Sequence, residues 1–290
     1  MNNFVTRVVF VGVTLPVLFA IAIFVPHYNH ASIALLALVF SVGSALELRR
    51  IVEPAGGKYR DVAVLVFSAL PSICIFFTRL SMRGAGLASS WLSPLVIVCL
   101  CLFMVAAFPI AFPRRPESVK QSIAIAGANA LYIFYPGALN TAIIVILGAQ
   151  NGPGLMLMWF ALIVFGNDSL AWLAGVTLGK HRGIFAVSPN KSLEGLIAGM
   201  SGSIGFSYAG AFLFPSVVPR NWLVLGIIGV VCGVAVVTGD LFESALKRSG
   251  NVKDSGTIVP GRGGMLDSYD SLLFAAPVFA GILGMMGMLA

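Results

Sequence analysis

Residues 221–248 read NWLVLGIIGVVCGVAVVTGDLFESALKR. The first two-thirds carry no charge and are long enough for a helix across a bilayer core, which needs about 20 apolar residues. The stretch then turns ionic. Asp240 ends the apolar run, here taken as 221–242. If the helix continues, Asp240, Glu243, Ser244 and Lys247 share one face at spacings of i, i+3, i+4 and i+7. A carboxylate at the end of a membrane span costs free energy unless something pairs with it, so its first reading is functional. One stretch therefore sets the fold class, an all-α polytopic membrane protein, and points to where its chemistry lies.

The whole chain agrees. Of 290 residues 58% are hydrophobic and 10% charged, and the mean hydropathy is +0.97. A soluble domain carries about 25% charged residues, so this chain cannot cover a water-facing surface. Eight further runs, at 8–26, 31–48, 61–79, 91–112, 122–148, 154–178, 193–215 and 271–289, bring the expected transmembrane helices to nine. The first run lacks a clear small-residue cleavage site and reads as a retained span rather than a signal peptide. The run 122–148 carries Pro136-Gly137 and is expected to kink there. Four spans make an N-terminal region, 1–112. Residues 113–290 form the expected catalytic region, with polar loops at 179–192 and 243–270. No internal repeat or low-complexity segment interrupts the pattern.

The 18 Lys and Arg residues divide unequally between the two sides of this nine-span arrangement. Fifteen fall on one side and three, Arg79, Arg83 and Arg220, on the other. The positive-inside rule makes the first side cytoplasmic. The N-terminus is then inside, the C-terminus outside, and both long loops face the cytosol of an inner or plasma membrane. The net charge of +7 is thereby accounted for by topology, with no nucleic-acid partner. Cys74, Cys99, Cys101 and Cys232 lie in apolar runs without zinc spacing and read as small core hydrophobes. His27, His30 and His181 make no metal motif.

Beyond Asp240 the charges crowd. Residues 244–270 hold Lys247, Arg248, Lys253 and Arg262, with Asp254, Asp267 and Asp270, around the turn Pro260-Gly261-Arg262-Gly263-Gly264. Carboxylates at the membrane edge of two helices suit Mg²⁺, which takes a few carboxylates plus substrate phosphate oxygens. The cations would neutralise a polyphosphate, and Gly263 and Gly264 would let main chain approach it. Each element has a plainer reading. Asp267 with Asp270 fits a helix cap, Lys247-Arg248 fits topology, and the glycines fit a turn. Their conjunction favours a site.

This stretch resembles the signature of the phosphatidate cytidylyltransferases, or CDP-diacylglycerol synthases: S-x-x-K-R, four residues, K-D, then P-G-H-G-G and D-R-x-D. Ser244, Lys247, Arg248, Lys253, Asp254, Pro260, Gly261, Gly263, Gly264, Asp267 and Asp270 match in register. Arg262 replaces the pattern's His and Ser268 its Arg. A second stretch is similar to the family's N-D-[ST]…G…G-K…S-P-x-K-[ST]-x-E-G. It comprises Asn167-Asp168-Ser169, Gly175, Gly179-Lys180, Ser188-Pro189, Lys191-Ser192 and Glu194-Gly195. In the N-terminal half, Glu47 adds a weaker hint.

Asp168 lies about ten residues, or ~15 Å, above the cytosolic end of its helix, near mid-membrane, where an ionisable group reads as functional. The plainer alternative is a carboxylate bonded to a neighbouring helix. Gly175 and Gly179 form a stripe with it that suits close helix packing. Ser192 with Glu194 opens the seventh helix, whose N-terminal amides suit phosphate.

The resemblance implies that CTP and phosphatidic acid give CDP-diacylglycerol and pyrophosphate, with Mg²⁺ and room for a second cation. With Asp240 added by its helical phase, Asp240 and Asp267 are the expected metal ligands, with Asp254 and Asp270 as second candidates. Lys247 and Arg248 would hold phosphate oxygens, and Lys253 and Arg262 the leaving pyrophosphate. Lys180, Ser188, Lys191 and Ser192 would contact nucleotide or lipid phosphate. Two other readings stay open: a CTP-dependent polyprenol- or phytol-type lipid kinase, which shares the K-[ST]-x-E-G stretch, and a secondary transporter using Asp168 and Asp240. The sequence leaves the oligomeric state open, a homodimer included.

Overall fold

The computed structural model describes residues 16–17, 20–56, 61–82, 92–111, 119–259, 261 and 263–289. Its elements are α1 (His27–Gly56), α2 (Asp61–Met82), α3 (Leu92–Ala111), α4 (Val119–Tyr132), α5 (Leu139–Ile146), α6 (Pro153–Thr177), α7 (Leu193–Leu213), α8 (Trp222–Ser249) and α9 (Leu266–Met285). A π-helical turn, Ile133–Ala138, joins α4 to α5. Among the described residues seven helical segments are long and apolar enough to cross a membrane, α4 to α5 counting as one, and Leu95–Ala107 is a shorter apolar segment within α3. The fold is all-α and polytopic, as expected. The run 8–26 lies largely outside the described residues, as does Arg262.

The expected kink at Pro136 takes the form of the π-helical turn. Proline lacks an N–H and cannot complete the ordinary ladder. The Pro136 carbonyl accepts the Ser41 hydroxyl of α1 at 2.6 Å, a polar contact made inside the protein, as the bilayer requires.

Two helix limits differ from the sequence reading, and both matter for the site. α8 runs to Ser249, seven residues past the expected end, because Glu243 and Lys247 form an i,i+4 ion pair that carries the helix out of the apolar run. α9 begins at Leu266 rather than 271, so Asp267 and Asp270 stand within it rather than before it. The reading of Asp267 as a helix cap is corrected accordingly. The residue at the cap position, Met265, has helical backbone and no capping side chain. The free amides of Met265 and Leu266 instead donate to Glu47 of α1, both at 2.9 Å.

The C-terminal helices pack through small residues, as helices without a hydrophobic driving force between them tend to do. α6 and α7 approach at Gly195, Gly199 and Gly202, where an added Cβ would come within 2.8–2.9 Å of α6 atoms. α8 meets α9 at Gly239, where a Cβ would lie 2.8 Å from the Asp270 carbonyl oxygen. That contact sets Asp240, the next residue, beside the start of α9.

Candidate active site

A cavity of about 490 Å³ opens where the polar ends of α6, α7, α8 and α9 meet. Asp168 of α6, Asp240 and Glu243 of α8, Asp254 of the α8–α9 loop, and Asp267 and Asp270 of α9 all line it. Lys191, Ser192, Arg182 and Lys247 share its walls. Both motifs of the sequence, about 100 residues apart, thus converge on one space.

The α6–α7 loop is a small closed hairpin. Leu193 N donates to His181 O at 2.9 Å, and Gly183 N to Pro189 O at 2.9 Å. Arg182 ties it down, giving its guanidinium to the Asn190 and Gly175 carbonyls at 2.8 and 2.7 Å. Ser192 caps α7, its hydroxyl accepting from Gly195 N at 3.1 Å. A Cβ at Gly179 would come 2.8 Å from that hydroxyl oxygen, so the expected glycine stripe serves close packing. The hairpin presents Lys191 to Asp240, with Nζ 2.5 Å from Oδ2.

On the opposite wall Lys247 bridges two carboxylates. Its Nζ lies 2.5 Å from Glu243 Oε2 and 2.6 Å from Asp267 Oδ1. Asp267 Oδ2 accepts the amides of Ser255 and Gly264 at 2.9 and 2.7 Å, and lies 3.0 Å from the Ser255 hydroxyl. Gly263 and Gly264 make this wrap possible. Gly263 has φ +107°, a left-handed conformation that disfavours side chains, and a Cβ on Gly264 would overlap Glu47 and Ser255. The Gly264 amide grips Asp267 of the protein itself, while the Gly263 amide donates to the Val259 carbonyl at 3.1 Å.

Asp270 is buried, its Oδ1 accepting Ser271 N at 2.7 Å. The Ser271 hydroxyl reaches Asp168 Oδ1 at 3.4 Å, joining α9 to α6.

Of the residues singled out in the sequence, Asp168, Lys191, Ser192, Asp240, Lys247, Asp254, Asp267 and Asp270 line the cavity. Lys180, Ser188, Arg248 and Lys253 stand on the surrounding loops and helix end and do not. Arg248 directs its Nε to the Val187 carbonyl at 3.4 Å, linking α8 to the hairpin. Three further residues belong to the site. Arg182 shapes the hairpin. Glu243, 1% exposed, lines the cavity, and no donor reaches its Oε1. Glu47 holds the start of α9. Glu243 was legible from its helical phase with Asp240; Glu47 had its place in the family pattern as its sole signal.

The donor set fits a hard divalent cation. Among the described residues the walls carry six carboxylates, Asp168, Asp240, Glu243, Asp254, Asp267 and Asp270, against three cations, Arg182, Lys191 and Lys247. All are oxygen donors, with no His or Cys among them. Among the described residues no three His, Cys, Asp or Glu side chains converge as a ready-made ligand cage. Mg²⁺ is usually held by one or two carboxylates and completed by water and substrate phosphate.

A family model described as the cytidylyltransferase family matches residues 5–286. The chain belongs to this family. Relatives include the uncharacterized protein YnbB of Escherichia coli, 39% identical over 129 residues, or 44% of this chain and 42% of YnbB. The phosphatidate cytidylyltransferase of Bacillus subtilis is 40% identical over 125 residues, 43% of this chain and 46% of that protein. That of Staphylococcus epidermidis is 28% identical over 273 residues, 91% of this chain and 95% of the relative. The aligned part thus spans under half of the first two relatives and nearly all of the third. The match at 5–286 takes in both motifs, the N-terminal helices and Glu47.

Proposed function

We propose that this protein is an integral-membrane phosphatidate cytidylyltransferase: CTP and phosphatidic acid react to give CDP-diacylglycerol and pyrophosphate, for phospholipid synthesis. The observation that carries the reading is the joining of both cytidylyltransferase motifs around one acidic cavity at the polar ends of membrane-spanning helices. The names of the relatives agree with it.

In this reading a phosphate oxygen of the lipid attacks the α-phosphorus of CTP, and pyrophosphate leaves. The nucleophile is already an ionised phosphate, so no strong base is needed and catalysis consists of positioning and electrostatics. Asp240 and Asp267 would hold Mg²⁺, with Asp254 and Asp270 beside them and room for a second cation. Once bound, such cations supply the charge neutralisation that lets two anions approach in line.

The chain's own groups do the rest. Lys191 stands on the hairpin just before the cap of α7 and would exchange Asp240 for a phosphate oxygen. Lys247 holds Glu243 and Asp267 together against their mutual repulsion and offers its remaining donor capacity to the substrate. Lys180, Ser188, Arg248 and Lys253 would surround the triphosphate as it enters. Asp168 and Asp270 line the same cavity from deeper in the helices. The acyl chains stay in the bilayer. The charge division of the loops supports a site that faces the cytoplasm, where CTP is made.

The test is purified protein with labelled CTP, Mg²⁺ and phosphatidic acid. CDP-lipid with pyrophosphate, lost on adding EDTA and regained with Mg²⁺, is the expected result. CDP released together with a phosphorylated lipid alcohol would replace this reading with the kinase. No nucleotide chemistry would return the transporter.

A further inference from the structure

We propose that Glu47, in the second apolar run and some 200 residues before the C-terminal motif, is a positioning residue that sets Asp267 for the reaction proposed above. Glu47 is 2% exposed. Its Oε1 accepts Met265 N at 2.9 Å, and its Oε2 accepts Leu266 N at 2.9 Å and the Ser255 hydroxyl at 2.8 Å. Three donors thus converge on one carboxylate, two from the first residues of α9 and one from the loop before it.

The same serine is shared. Ser255 Oγ lies 2.8 Å from Glu47 Oε2 and 3.0 Å from Asp267 Oδ2. A hydroxyl has one proton. Glu47 is the nearer acceptor and claims it. Asp267 Oδ2 keeps the two main-chain amides of Ser255 and Gly264, and Asp267 Oδ1 stays on the cavity side with Lys247. Glu47 therefore fixes three things about Asp267: the start of its helix, the loop amides that grip it, and the direction of its neighbouring hydroxyl.

The sequence is built for this contact. A Cβ on Gly256 or on Gly264 would overlap the Glu47 carboxylate, so glycine is required on both sides of it. α9 has no side-chain cap of its own, and a carboxylate at a helix N-terminus is favoured by the helix dipole. A neutral cap would serve stability alone at less desolvation cost. A carboxylate accepts at both oxygens, as the three donors demand, whereas a glutamine amide accepts at one.

Wild type and Glu47→Gln, as full chains in detergent, are compared by two readouts. The first is hydrogen–deuterium exchange at residues 255–267 without nucleotide or metal. The second is turnover with labelled CTP, Mg²⁺ and phosphatidic acid. Glu47→Gln should exchange faster at 264–267, lose about 10- to 100-fold in kcat and need more Mg²⁺ for half-maximal rate, as residues that orient metal ligands do. Its KM for CTP should stay within about threefold, since no substrate contact is removed.

Wild-type exchange with wild-type kcat would overturn the proposal. If Glu47→Gln does not fold, Ser255→Ala removes only the shared hydroxyl and should lower kcat about tenfold with the same Mg²⁺ shift; a folded, fully active Ser255→Ala would then overturn it. Wild type that makes no CDP-lipid defeats the proposed reaction but not the exchange result, so the two failures can be told apart.

Discussion

Lys191 and Asp240 face each other across the cavity mouth, Nζ to Oδ2 at 2.5 Å, tying the α6–α7 hairpin to α8. Their side chains are 28% and 37% exposed. A pair this open is worth about 0–1 kcal/mol, so it is poorly explained as a device for stability. It is better explained as a lysine held ready for an anion.

Lys191→Ala should therefore separate stability from activity. A loss of at most about 1 kcal/mol corresponds to a fall in Tm of no more than roughly 2–4 °C. The kcat/KM for CTP should fall at least about 100-fold, or some 2.7 kcal/mol of transition-state stabilisation. Melting curves and turnover on one preparation check this. A large Tm loss with activity intact would make the pair structural.

Asp267→Asn tests the acidic centre. The asparagine keeps the size but offers an NH₂ where Oδ2 now accepts the Ser255 and Gly264 amides, or one where Oδ1 meets Lys247. Either orientation sets donor against donor. CTP incorporation should fall at least about 100-fold at saturating Mg²⁺, with the elution profile and helical circular dichroism unchanged. Turnover at the wild-type rate would remove Asp267 from the chemistry.

The spans were legible because each is a long apolar run, a signal carried by the local sequence alone. Asp168 and Asp240 were legible as charges out of place in such runs, and Asp267 and Asp270 as members of the charged cluster before the last run. Other features depend on distant partners. The start of α9 was read five residues late because its cap is Glu47, more than 200 residues upstream. The end of α8 was read early because an apolar count stops at the first charges, whereas the Glu243–Lys247 pair continues the helix. Arg248 sits beside Lys247 in sequence, but a helix turns adjacent residues about 100° apart. Lys247 therefore lines the cavity while Arg248 reaches the α6–α7 hairpin.

Helix spacing gives a paired prediction. Gly239→Ala would push a methyl to 2.8 Å from the Asp270 main-chain oxygen, and backbone cannot yield as a flexible side chain does. α8 and α9 must part, moving Asp240 away from Asp270. Overpacking of this kind typically costs about 1–3 kcal/mol, and activity should fall further than stability. Gly281→Ala, also in a helix but with open space around its would-be Cβ, should be neutral, or stabilising by up to about 1 kcal/mol through helix propensity. Thermal melts and turnover of the two variants make the comparison. Equal effects would mean that the α8–α9 contact does not control the site.

The direction of the site across the membrane can be checked without catalysis. The proposed topology sets the α6–α7 hairpin, with Lys180 and His181, in the cytoplasm, and the turn before α8, with Arg220 and Asn221, on the far side. His181 and Asn221 are both exposed, so single cysteines there, in a background with the four native cysteines replaced, should react readily with a membrane-impermeant maleimide. In intact cells Asn221→Cys should label and His181→Cys should not; in inverted membrane vesicles the pattern should reverse. Labelling of His181→Cys in intact cells would turn the cavity away from the CTP pool. The proposed reaction could not then proceed in the cell, whatever activity the purified protein shows.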